Sequence, residues 1–305
     1  MLRTYALSSG RLIETSLESA QVFVYSMLTD EEKQYLINTM GLDEHTLHSS
    51  LDPDELGRLE FEVNHSAAIV KRPRRFSAKD NFLLKTSSIG LFLFSDKLIL
   101  VTQDDIIFEG RIFNKMFCLM DAFLKVIFHS IWHFEDHLMA IHRMSEELET
   151  EINRAMTNKD LLYMFNLEKS LVYYLNAIAS NGKVIERIRL NAGKMGIVGD
   201  AAEFLEDVTI ENGQCYEQAN TYSQVLASLM DARASIINNN LNIRMKTLTI
   251  ISLAIMLPTF IVSLFSMNVP LPIPQHEAIW PFWFVSGLSA LAVAVVIGLS
   301  RFRRW

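Results

Sequence analysis

Two stretches without a single charged residue, 247–266 and 279–300, decide most of what this 305-residue chain can become. Crossing a bilayer as a helix takes roughly 20 apolar residues. Inside lipid the backbone has no water to bond, so such a run has to satisfy its own hydrogen bonds as a helix. Each stretch is therefore read as one span. The second opens with Trp280, Phe282, Trp283 and Phe284, side chains suited to a membrane interface. Charged residues are dense up to about Lys246 and nearly vanish beyond it, which divides the chain into a soluble body and a membrane tail.

Orientation follows from the flanking bases. Arg244 and Lys246 precede the first span, Arg301, Arg303 and Arg304 follow the second, and the loop 267–278 holds neither Lys nor Arg. Positive charge stays on the cytoplasmic side, so both termini are expected in the cytoplasm and the loop outside, with the protein in the inner (plasma) membrane. No apolar run ending in a cleavage site follows Met1–Ala6, so no signal peptide is expected and the body stays cytoplasmic. Cys118 and Cys215 are read as free thiols in a reducing compartment, with a single disulfide as the alternative. The net charge of -7 sits mostly in the body; it argues against nucleic acid as a partner and suits a surface that gathers cations.

The first span carries a polar stripe. At ~100° per residue, Asn242, Met245, Thr249, Ser252, Met256, Thr259 and Ser263 fall within roughly a third of the helix circumference, with Ile250, Ala254, Leu257 and Ile261 on the other side. Hydroxyls in lipid are better satisfied facing water or a neighbouring helix. The competing account is that they bond their own backbone and mark a helix contact. Pro258 has no N–H to give the carbonyl of Ala254, so an acceptor is freed at mid-span. Two helices cannot enclose a pore; a conducting protein would need several copies around an axis.

In the body, residues 1–112 read as an α/β domain and 113–246 as a helical stalk. Ile69-Val70, Phe82-Leu83-Leu84, Ile89 to Phe94 and Leu98 to Val101 are expected as strands, with a turn at Ser95-Asp96. Ala20 to Leu28 and Asp30 to Met40 are expected as helices. Long helices should cover His133 to Met156 and Lys159 to Leu190. A third should start near Asp200 and meet no proline before Pro258. At ~1.5 Å per residue, continuity into the span makes it a rod of roughly 100 Å.

His129, His133 and His137 recur every fourth residue and could chelate a transition metal beside Glu135 or Asp136, but the spacing is not the zinc-protease pattern and is read first as a packed or solvated helix face. The run Lys71 to Arg75 reads as a proline-bearing surface loop, with an anionic lipid or nucleic-acid contact as the alternative. No nucleophile elbow, phosphate loop or CxxC pair is present, so an enzyme is not expected.

The segment from Asn242-Ile243-Arg244-Met245-Lys246-Thr247-Leu248-Thr249 through Pro258-Thr259 to Phe265-Ser266-Met267-Asn268 resembles the CorA family of magnesium transporters, the two-span group with a Gly-Met-Asn signature. Glu206-Asp207-Val208 and Leu229-Met230-Asp231 match family positions on the preceding helix. The resemblance implies an α+β membrane protein assembled as a funnel-shaped homopentamer in membrane lipid. Its pore would be lined by the first span (247–266), with the second span at 279–300 and a basic cytoplasmic tail at 301–305.

By position, Asn242, Met245, Leu248, Met256 and Thr259 would line the pore and Asn268 would sit at the outer mouth beside Ser266 and Met267. Leu248 from the resemblance and Thr249 from the stripe differ by one residue. Asp207, and more weakly Asp231, would bind regulatory magnesium between subunits. The transported ion implied is Mg2+, with Co2+ or Ni2+ possible. Ser266 departs from the signature glycine, and only Glu277, beside His276, offers acid in the loop. Two other readings stay open here: a Zn2+ transporter of the same fold, and a non-conducting membrane scaffold.

Overall fold

Strands that are apolar on both faces need a covering layer on each side. The structure, a computed structural model, describes residues 1–74, 83–104, 108, 111–151, 158–267 and 279–302. The described strands are β1 (Leu2–Ser8), β2 (Arg11–Glu14), β3 (Val22–Ser26), β4 (Arg58–Phe61), β5 (His65–Pro73), β6 (Thr86–Phe94) and β7 (Leu98–Thr102). They form one sheet in the order β2-β1-β3-β7-β6-β5-β4. β3 and β7 are parallel, with Val24 opposite Leu100, and the other neighbouring pairs are antiparallel.

The register puts Tyr25, Ala67, Phe92, Phe94, Ile99 and Val101 on one face, where they meet Leu36 of helix α1 (Asp30–Asn38) and Leu47 of α2 (Glu44–Leu51). The opposite row, Leu59, Ala68, Leu91, Leu100 and Val24, is buried on the side of α3 (Leu119–Glu151) and α4 (Asn158–Leu190). Gly90 makes the α2 layer possible: a Cβ there would lie 2.6 Å from the Cβ of Ser50. The β1–β2 hairpin turns through Ser9 at φ 52 and Gly10 at φ 75, the left-handed pair that matches strand twist.

Local chemistry starts the helices. Thr29 accepts from the Glu32 N–H while Glu32 accepts from the Thr29 N–H, a capping box for α1. Asp43 caps α2, accepting from the N–H and hydroxyl of Thr46, which together hold its carboxyl below the usual range. Asp43→Ala is expected to cost about 1 kcal/mol. In a body of this size that is a fall in Tm of about 2–4 °C by circular dichroism.

Four expectations fail. Ala20 to Leu28 is not a helix: Val22–Ser26 is β3, a five-residue strand whose Val22, Val24 and Tyr25 are buried. Its β-branched and aromatic residues suit a pleated surface covered on both sides. Lys71-Arg72-Pro73 is not a surface loop but the end of β5, with Lys71 and Arg72 buried. The Lys71 ammonium donates to the Pro53 carbonyl and the Ser88 hydroxyl, each at 2.8 Å. Burial pulls its pKa down, against Asp52, Asp54 and Glu55. β4 reaches only Ile69 of β5, and beyond it Asn181 of α4 exchanges both backbone bonds with Lys71. Leu83-Leu84 lies outside any strand, the Leu84 N–H being bonded to the Ser170 hydroxyl of α4, and Phe82 lies outside the described residues. Finally, α3 begins at Leu119 rather than His133, because Phe123, Val126, Ile127, Ile131, Phe134 and Leu138 already form a buried face. Its start is fixed by Asp121, which accepts from the N–H groups of Phe117 and Cys118.

The turn at Ser95-Asp96, strands β6 and β7, and helices α1 and α4 stand where the sequence puts them. Cys118 is exposed and Cys215 buried, both free. The long helix α5 (Asp200–Phe265) is continuous over 66 residues and contains Pro258; α6 is Trp280–Phe302. Each holds an apolar window long enough to cross a membrane, with none of that window buried. The chain forms two compact units, Met1–Leu229 and Met230–Trp305, and α5 contributes to both.

Candidate functional site

In the C-terminal unit, α5 and α6 each hide one narrow face. On α5 the partly covered positions are Ile250, Ala254, Leu257, Pro258, Ile261 and Phe265, and on α6 they are Pro281, Val285, Ser289, Ala292, Val293, Val296 and Ser300. Steps of three and four make each set one stripe of a helix. At one end Phe265 meets Phe284 edge-on at 6.5 Å, and toward the other Ile250 and Leu253 share a cleft with Val296 and Leu299. The small residues Ser289 and Ala292 are of the kind that lets helices approach in lipid. Their place between Val285 and Val296, at steps of four, three and four, was the signal in the sequence that could have marked α6 as a packing partner.

Of the polar stripe, Asn242, Met245 and Thr249 line that same cleft beside α6, and Ser252, Met256, Thr259 and Ser263 lie on the rest of α5. Asn242, Met245, Leu248, Thr249, Ser252, Met256, Thr259 and Ser263 are all exposed in the single chain, as are Ser266 and Met267. Leu248 and Thr249 are both exposed, so burial does not choose between them. The hydroxyls do bond their own helix: Thr249 donates to the Met245 carbonyl at 2.9 Å and Thr259 to the Ile255 carbonyl at 2.7 Å. A hydroxyl that spends its proton on the backbone keeps its lone pairs turned outward as acceptors. Backbone bonding and an acceptor-lined surface are thus compatible here.

Ser266 closes the helix. Its N–H donates to the carbonyls of Val262 and Ser263, and its hydroxyl donates to the Ser263 carbonyl at 3.1 Å. Its backbone is not among the described positive-φ positions, so Ser266 sits here without the strain a left-handed residue would carry. Asn268, His276 and Glu277 lie outside the described residues.

Both acidic candidates lie on α5. Asp207 is on α5 within the first unit and Asp231 on α5 within the second, both exposed. The histidine repeat is a packed face. His137 Nδ1 is 2.7 Å from the Tyr174 hydroxyl, His133 and His137 meet edge-on at 4.7 Å, and His129 lies beside Phe113. Burial, with Arg72 adding to it, brings His129 down to about 4, and burial lowers His137 as well. No group of three metal-ligating His, Cys, Asp or Glu side chains occurs among the described residues.

Comparison with known proteins supports the fold. The cobalt/magnesium transport protein CorA of Methanocaldococcus jannaschii is 24% identical over 97% of this chain and 96% of its own length. The protein of the same description from Thermotoga maritima is 22% identical over 56% of this chain and 48% of its own. Among solved structures, the complete CorA magnesium transporter of M. jannaschii superposes with a TM-score of 0.78 at 21% identity, covering 98% of this chain and 96% of that one. Full-length CmaX gives 0.71 at 14% identity, covering 100% and 97%. The ZntB cytoplasmic domain from Vibrio parahaemolyticus gives 0.58 at 11%, covering 78% and 98%. The model of the CorA-like Mg2+ transporter protein family matches residues 21–304, almost the whole chain, and the chain belongs to that family.

Proposed function

We propose that several copies of this chain, a homopentamer by family resemblance, turn their α5 stripes toward a common axis in the inner membrane and pass a hydrated divalent cation. The observation that carries this is the division of α5 into two faces. One is partly covered in the unit it shares with α6, and the other, exposed and polar, runs from Ser252 to Ser263, with Asn242, Met245 and Thr249 continuing it along the cleft beside α6. Such a stripe is costly against lipid and useful against water. Residues 1–112 serve as the cytoplasmic domain, 113–246 as the stalk, 247–266 as the pore-lining span, 267–278 as the external loop, 279–300 as the outer span and 301–305 as the basic tail.

Mg2+ is the favoured ion, with Co2+ next, since the curated relatives are cobalt/magnesium transport proteins. A hydrated Mg2+ gives up water reluctantly, so neutral acceptors that bind its water shell hold it weakly enough to release it. The amide of Asn268 is the acceptor proposed at the outer mouth, with Ser266 and Met267 beside it. Thr259, Met256, Ser252 and Thr249 follow along the span, and rings of Leu248 and Met245 close the narrow part by dewetting above Asn242. The Zn2+ alternative gains no support from the histidines, whose rings are engaged in packing.

Uptake of Mg2+, Co2+ and Zn2+ into proteoliposomes tests the reading directly. Flux of Mg2+ or Co2+ is expected, and silence with all three metals sinks it in favour of a non-conducting scaffold. Ser266→Gly separates the two further. Because Ser266 needs no left-handed backbone, the substitution should leave Mg2+ uptake within about twofold while costing roughly 0.5–1 kcal/mol in the lost hydroxyl bond and added chain entropy. A tenfold gain in uptake would instead make Ser266 an obstruction.

A further inference from the structure

We propose that the cytoplasmic body carries a separate site for an organic amine cation, in a cavity of about 570 Å³ between strands β1 and β3 and helix α1. The size lies within the range of ordinary small-molecule pockets. Its wall holds three aromatic rings, Phe23, Tyr25 and Tyr35, and two carboxylates, Glu31 and Glu32, and no Lys or Arg lines it. Leu2 and Met40 form an apolar floor, and both pack on the core beneath.

Each part has a distinct role toward such a ligand. Glu32 is already engaged: its carboxylate accepts from the Thr29 N–H at 2.9 Å and lies 3.7 Å from the Met1 ammonium. Glu31, next to it in the first turn of α1, is the charge left to meet a ligand. The Tyr25 phenol, 3% exposed, is pushed up to about 12 by burial first, then by Tyr35 and Glu32. The two carboxylates on the wall, Glu31 and Glu32, disfavour an anion. Ammonium groups over aromatic faces gain quadrupole attraction, and a hydrocarbon body gains from the floor. A hydrated metal ion could use the carboxylate but neither the rings nor the floor, which fixes the ligand class as an amine with an apolar part.

The test is calorimetric titration of the full-length protein in detergent with 2-phenylethylammonium chloride, its neutral isostere 2-phenylethanol, and MgCl2. Saturable binding of the ammonium is expected, with 2-phenylethanol weaker by roughly threefold or more, and the Glu31→Gln and Tyr35→Leu variants weaker by a similar factor. Tyr35→Phe, which keeps the ring, should bind within about twofold of wild type. Circular dichroism on each variant checks that α1 remains folded. No saturation by the ammonium, equal binding of the alcohol, wild-type binding by both Glu31→Gln and Tyr35→Leu, or full displacement by MgCl2 at equal affinity would each overturn the proposal.

Discussion

Replacing Asn268 with alanine is expected to lower Mg2+ uptake into proteoliposomes by at least about tenfold while the protein still assembles and its N-terminal body keeps its Tm. The size follows from what the amide would do. A hydrogen bond to a charged partner is worth about 1.5–3 kcal/mol, and about 1.4 kcal/mol is a factor of ten. In a homo-oligomer every copy loses its amide at once, so the deficit multiplies around the ring. Asn268→Asp sharpens the experiment. A ring of carboxylates would hold the cation more strongly and release it more slowly, so uptake should fall and cation affinity rise together. Equal uptake by wild type and Asn268→Ala would remove the amide from the mechanism.

The membrane unit could be read from sequence because its signal is one of absence. No charge occurs from Thr247 to Ser266 or from Ile279 to Ser300, and α5 and α6 cover both stretches but for Ser266 at one end and Ile279 at the other. The two-faced character of α5 was equally legible. Ile250, Ala254, Leu257 and Ile261, assigned to the apolar side by periodicity, are four of the positions that the structure covers.

The body was harder because its decisive bonds join residues far apart in the chain. Lys71 reads as a surface charge until Pro53 and Ser88 are seen to hold its ammonium and Asn181 to take its backbone. Burying a lysine is costly without such partners, and nothing within the run 71–75 announces them. β3 failed for a different reason. A strand covered on both faces loses the alternation that identifies strands, and VFVYS is too short for its β-branched content to outweigh the apolar residues around it. At the candidate site, residue types and spacing pointed to the stripe. That the Thr249 and Thr259 hydroxyls donate backward to the helix is a matter of rotamer, which sequence does not carry.

Asp207→Ala is expected to raise the internal Mg2+ concentration needed for half-inhibition of uptake by about tenfold or more, with Asp231→Ala giving a smaller shift. Asp207 is an exposed carboxylate on α5 within the first compact unit, and neighbouring copies would bring such groups toward one another. Like charges brought together repel, and more strongly as the approach removes them from water. A cation bound between them offsets that repulsion and favours the closed arrangement. Its loss leaves the carboxylates pushing the copies apart. Linkage adds a second requirement: a cation that holds one state closed must bind that state more tightly, so it must also stabilise it against unfolding, by about 2.7 kcal/mol at a hundredfold excess over Kd. Proteoliposomes loaded with graded Mg2+ read the inhibition, and thermal unfolding with and without Mg2+ reads the stabilisation. Both should diminish together in Asp207→Ala. A variant that lost the thermal gain yet kept wild-type inhibition would place the regulatory cation elsewhere, because one bound ion cannot bias the gate without also contributing to the stability of the state it favours.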